Sequence, residues 1–203
     1  MIEQKSLDNQ IIKSRILYYD FLANLFLYEL LEQKQEVLVK QVELLGQYPL
    51  DEINENDFKN MHAKLMGDFG LIVAQYTKIF SLPFSLDGKS CVSLYLSHYK
   101  EGCNGGESLV QVKRSLKENS FYLNKNFSKE NEDHLGILCL FMKQLLQDDK
   151  IIEANKVYQE YIFPMKEPII SGMRQFEECD FYLNVANIFE VFCILEDSIC
   201  GLI

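Results

Sequence analysis

Residues 128–146 read SKENEDHLGILCLFMKQLL, and two signals meet in them. Leu135, Leu138, Met142, Leu145 and Leu146 recur at the three- and four-residue spacing of one helix face. Directly before them, Glu130, Glu132, Asp133 and His134 crowd together. Such a cluster suits an active site, a metal site, a seat for a basic peptide, or a capped helix start. The last has a simple rationale, because Ser128 or Asn131 can cap the helix by accepting backbone amides. Acidic residues in the first turn then favour its positive dipole end by roughly 0.3–1 kcal/mol each. Glu130 and Asp133, preceding His134 at i-4 and i-1, are also expected to raise its pKa and keep the ring more often protonated.

The same spacing governs the rest of the chain. Ile11, Tyr18, Phe21, Leu22, Leu25 and Tyr28 draw one helix face, and Val37 to Leu45 repeats it weakly until Pro49. Phe58, Met61, Leu65, Phe69, Ile72, Tyr76 and Ile79 predict one long helix, which Pro83 and Gly88 in SLPFSLDGKS end. Short helices are expected at 90–100 and 107–119 around the turn EGCNGGE. IIEANKVYQEYIF continues as helix, Pro164 starts another, and 180–200 makes the last. No alternating β segment, fixed-period repeat or low-complexity tract appears. The fold class that follows is all-α, a single-domain bundle over residues 1–203 of about nine or ten helices, with irregular stretches near 81–90 and 120–130.

Composition narrows the function. The 203 residues carry 30 acidic and 20 basic side chains, a formal charge of -10. That field repels nucleic acid and anionic membrane and attracts cationic partners. The most apolar segment, FYLNVANIFEVFCILEDSIC, is interrupted by Asn184, Asn187 and Glu190, so it reads as a buried helix and not a membrane span. MIEQKSLDNQ lacks the apolar core of a signal peptide. Cys91, Cys103, Cys139, Cys179, Cys193 and Cys200 form no zinc-ligand spacing and read as reduced thiols of a cytoplasmic protein. Phosphate-loop, zinc-protease and nucleophile-elbow motifs are absent, His62 reads as a surface residue, and His98, with no acid nearer than Glu101, is a poor metal candidate. No catalytic residue, metal or cofactor is therefore expected.

Four pieces together resemble the TorD/DmsD family of redox-enzyme maturation chaperones. RILYYDFLANLFLYE (15–29) resembles its opening helix. YTKIF (76–80), a Pro-containing loop and SLYL (93–96) resemble its Y-x-x-[LI]-F … S-x-Y-L arrangement. ENEDHLGILCLFMKQL (130–145) resembles its acidic E-P-x-D-H motif, with Asn131 in place of Pro. YIFPM (161–165) and FYLNVANIFEVF (181–192) resemble its C-terminal end. The chain has no Trp, which the family often places before S-x-Y, and Val92 stands where an acidic residue is common.

The resemblance implies a TorD-like, non-enzymatic cytoplasmic chaperone. Its partners would be the twin-arginine leader peptide and the catalytic subunit of a molybdenum-cofactor oxidoreductase, held until the cofactor is loaded. Glu130 and Asp133 would then attract the arginines, with His134 orienting the cluster. Phe80, Phe84, Ser93 and Tyr95 would line the adjacent surface. Phe80 and Tyr95 read as core residues too, whereas Phe84, between Pro83 and Gly88, is the better exposed anchor. Two other readings stay open: a helical adaptor with another partner, and a nucleotide-binding protein or enzyme using Asp133 and His134. Monomer and domain-swapped dimer are both compatible with loops at 81–90 and 120–130.

Overall fold

The structure, a computed structural model, describes residues 2–82, 88, 90–124 and 126–202, with side chains from Asn9 onward. Its helices are α1 (Ile2–Phe26), α2 (Tyr28–Gln33), α3 (Gln35–Gln47), α4 (Asn54–Leu65), α5 (Phe69–Tyr76), α6 (Leu96–Glu101), α7 (Glu107–Glu118), α8 (Leu135–Gln147), α9 (Ile151–Val157), α10 (Phe163–Arg174) and α11 (Asp180–Ile199). Two π-helical turns extend the set: Thr77–Ser81 continues α5, and Tyr158–Ile162 fuses α9 to α10. With that fusion the described residues form ten rods, in agreement with the all-α reading. No helix among them is long and apolar enough to cross a membrane.

The apolar stripes explain the packing. α1 buries Tyr18, Phe21, Leu22, Leu25 and Phe26 and lies along α8, which buries Leu138, Met142, Leu145 and Leu146. α11 packs on α10 and α4, and its Phe192 stacks on Tyr18 at 5.1 Å and meets Tyr19 edge-on at 4.9 Å. Cys139, Cys179 and Cys193 are buried within this core as small apolar groups. α1 stops because Leu27 turns extended (φ -96°, ψ 116°) before α2 begins. Gly136 makes room for it. A Cβ on Gly136 would stand 2.5 Å from Leu27 Cγ and 3.1 Å from its backbone nitrogen.

The structure corrects the long helix expected over 58–79. The apolar stripe is real, with Phe58, Met61, Leu65, Ile72 and Tyr76 buried, but the backbone breaks at 66–68. Asp68 restarts it, its carboxylate accepting the Gly70 amide at 2.9 Å as the N-cap of α5. Periodicity survived the break because both helices face the same core. Pro164 does sit in the first turn of α10, yet no gap precedes it. The expected helix at 90–100 begins only at Leu96, since residues 91–95 form an extended strap. The Val92 amide donates to Ile79 O at 2.8 Å, and Val92 seats against Gly172, where a Cβ would come within 2.8 Å of it.

A buried ion pair ties α1 to α11. Arg15 donates through Nε to Glu196 Oε1 at 2.7 Å and through Nη2 to Oε2 at 2.9 Å. Tyr19 Oη adds a 2.7 Å bond to Oε2, and Arg15 Nη2 reaches Asn155 Oδ1 at 3.0 Å. The two side chains are 1% and 0% exposed, so neither charge has water to fall back on. Glu196→Gln is expected to cost about 3–5 kcal/mol in urea unfolding, because it strands a buried guanidinium. Gly136→Ala should cost about 1–3 kcal/mol in the same assay by driving α8 from Leu27.

Candidate functional site

The strap and the segment before α8 meet in a short exchange of backbone bonds. Tyr95 and His134 form an isolated antiparallel bridge, Leu135 N donates to Leu94 O at 2.7 Å, and Leu96 N donates to Asp133 O at 3.1 Å. Around this crossing lies a cleft of about 190 Å³, lined by Tyr76, Phe80, Ser81, Cys91, Ser93, Leu94, Tyr95, His98, Asn104, Glu130 and His134. Five of the residues singled out in the sequence, Phe80, Ser93, Tyr95, Glu130 and His134, are thereby brought to one place. Phe84 lies outside the described residues. Larger grooves of about 480 and 460 Å³ flank α3, but neither gathers these groups.

The π turn after α5 shapes one wall. An extra residue per turn re-aims the side chains that follow. Phe80 lands 5.1 Å from the Tyr76 ring, 5.3 Å from Tyr182 and 6.0 Å from Phe26. It therefore serves the core on one side and the cleft on the other. Tyr76 Oη donates to Phe26 O at 2.9 Å, and Tyr99 Oη donates to Ser93 O at 2.7 Å, pinning the strap.

The other wall is polar. Tyr95 Oη donates to Glu130 Oε2, and its ring meets the His134 imidazole edge-on at 5.1 Å. Burial and then the Glu130 carboxylate push the Tyr95 hydroxyl pKa far up, so it stays a donor. Tyr76 is raised too, by burial first and then by the electrostatics of neighbouring Glu130, Tyr95 and Glu29. Glu29 is thus a second acid in the neighbourhood, and its buried Oε2 meets no hydrogen-bond donor among the described residues. Sequence reasoning passed over Glu29 because α2 is a separate turn brought in by the break at Leu27. It took Tyr76 for a core residue and set His98 aside because no acid lies nearer than Glu101. The YTKIF motif was the one signal for Tyr76.

Three expectations about the acidic cluster are corrected. First, α8 is capped by His134 itself, whose Nδ1 accepts the Gly136 amide at 3.1 Å. Ser128 instead accepts the Glu130 amide at 3.2 Å and Asn131 O accepts that of His134 at 3.0 Å, so the acids precede the helix and do not occupy its first turn. Second, Asp133 is not an exposed acid. It is 0% exposed, and its Oδ2 accepts Ser97 N at 3.0 Å and Ser97 Oγ at 2.6 Å, which caps α6 from a distant segment. Its Oδ1 meets no donor among the described residues. Third, His134 is not charged. Burial lowers its pKa to about 3, and the Gly136 bond leaves it as the neutral Nε2–H tautomer.

That last point has a measurable sign. The unfolded imidazole titrates near its ordinary value of about 6.5 and the folded one near 3, so only the unfolded chain takes up this proton as pH falls between them. The stability contribution is complete above about pH 6.5 and is lost on acidification, by at most about 1.4 kcal/mol per pH unit. His134→Asn retains a capping side chain, and its unfolding free energy between pH 6 and 4 should fall less steeply than that of the unaltered protein by about that slope.

The comparisons with known proteins fall on this same segment. A family model described as nitrate reductase delta subunit matches residues 70–168, which include every residue lining the cleft. No curated protein matches the chain. Through the segment that builds its cleft, the chain is similar to the nitrate reductase delta subunit family, the NarJ/TorD-type chaperones of molybdoenzyme maturation.

Proposed function

We propose that the cleft receives the arginines of a twin-arginine leader peptide on a molybdenum-cofactor oxidoreductase. The protein then acts as a binding chaperone and not as a catalyst, in the cytoplasm, where such a leader awaits export. The carrying observation is the half-exposed Glu130 carboxylate at the mouth of an aromatic cleft, oriented by the Tyr95 hydroxyl. A carboxylate accepts several donors at once, and a guanidinium presents them in a planar fork that also stacks on aromatic rings. Phe80 and Tyr76 supply the rings and Ser93 lines the strap side. The cleft has the size for an arginine head, so the apolar part of the leader runs outside it.

The corrected state of His134 supports this reading. An imidazolium beside Glu130 would repel an incoming guanidinium, whereas the neutral ring offers one Nε2–H donor for a peptide carbonyl. Asp133 acts at one remove. By capping α6 through Ser97 it holds the strap that carries Ser93 and Tyr95, and its negative charge adds to the field. The chain's formal charge of -10 works in the same direction at longer range.

Calorimetry with twin-arginine leader peptides from molybdoenzymes tests the proposal, with Arg-Arg changed to Lys-Lys and to Ala-Ala as controls. Binding at micromolar Kd or tighter is expected, weaker for both controls. Glu130→Gln should lose about tenfold in affinity, near 1.4 kcal/mol, with little change in melting temperature. Equal binding of Arg-Arg and Lys-Lys peptides, or no loss in Glu130→Gln, would remove the arginine site from the cleft.

A further inference from the structure

In α7 the residues Ser108, Val112 and Leu116 are buried, while Val110, Lys113, Arg114 and Lys117 are exposed. Those four follow an i, i+3, i+4, i+7 spacing and so form a single stripe along the helix. α7 rests chiefly on α6, which leaves the stripe facing outward. Among the described residues the side chains of Arg114 and Lys117 make no hydrogen bond or ion pair, whereas Arg15 is held by Glu196 and Arg174 by Glu190. Lys113, Arg114 and Lys117 thus gather on one helix face, bordered by Glu107 and Glu118, in a chain of charge -10.

The stripe also has an address. Lys113 Nζ lies 3.6 Å from Glu132 Oε2, so the stripe touches the acidic segment that carries Glu130. Val110, 51% exposed, adds an apolar contact at its first turn. An extended anion such as a membrane surface or a nucleic acid feels the repulsive field of the whole chain. A short acidic segment docked within a Debye length, about 8–10 Å, feels the stripe.

The geometry points to the α7 stripe as a docking face for an acidic, partly apolar polypeptide segment that adjoins the basic segment held in the cleft. The adjacency of the two segments in one client rests on the leader-binding role proposed for the cleft. Cleft and stripe together then distinguish a client whose leader is flanked by acids from one with the bare arginine pair, through the opposite charges of two neighbouring surfaces.

Fluorescence anisotropy decides it with two labelled probes, an Arg-Arg leader and the same leader carrying a short Glu-Leu repeat at either end. At low salt one extended probe should bind about tenfold more tightly than the plain leader, the scale of a few exposed ion pairs. That gain should vanish at high salt and in Arg114→Gln/Lys117→Gln, whose affinity for the plain leader and melting temperature stay unchanged. Equal binding of plain and extended probes to the unaltered protein overturns the proposal, as does a gain that survives in the variant. Should no leader bind at all, the cleft reading fails while the stripe is still decided by the Glu-Leu repeat alone. Amide shifts confined to α7 and lost in the variant then support it, and their absence overturns it. Stronger, stripe-dependent binding to phosphatidylglycerol vesicles would assign the face to lipid instead.

Discussion

One buried carboxylate oxygen carries the local architecture. Asp133 Oδ2 accepts both the amide and the hydroxyl of Ser97, and the backbone on either side adds the Leu135–Leu94 and Leu96–Asp133 bonds. Without that crossing, the strap at 91–95 is a length of extended chain with no sheet to join, and its backbone groups would have to find water. With it, Tyr95 is set against His134, Ser93 faces Tyr99, and α6 gains the cap that its own N-terminal residue, Tyr95, lacks. The cost of burying a charge is met by two donors and a helix start, and the result is a rigid rim around a small cleft.

The rim divides labour among residues that look alike in the sequence. Glu130 and Asp133 are both acids three positions apart, but one is half-exposed beside a tyrosine hydroxyl and the other is sealed under α6. Tyr76 and Tyr95 are both aromatic wall residues, yet one spends its hydroxyl on the Phe26 carbonyl and the other on Glu130. Exposure, more than residue type, separates the groups that can meet a ligand from those that hold them in place.

The helices were legible because burial writes itself into the sequence at helical spacing, and the stripes on α1, α4, α5 and α8 all mark buried faces. What periodicity cannot register is a break that keeps the same face, as at Gly67, or a strap too short to alternate, as at 91–95. The site was half legible. Short motifs gathered Phe80, Ser93, Tyr95, Glu130 and His134, which do meet in the cleft. The roles of Asp133 and His134 were not legible, because each depends on solvent access. The Ser97 that buries Asp133 lies 36 residues away, and the low dielectric around His134 overrides the adjacent acids that a linear reading sees first.

The bond between Arg15 and Glu196 spans 181 residues of chain. A growing polypeptide therefore carries an unmatched guanidinium on its first helix until α11 has been synthesised, and the Tyr18–Phe192 stack and the Tyr182 face behind Phe80 are missing for the same interval. Contacts of such separation form late, since the loop between them must close before they repay its entropy. Completion of the cleft's rear wall is thus coupled to the synthesis of α11. A newly made molecule acquires its finished binding surface only once α11 has emerged and docked on α1.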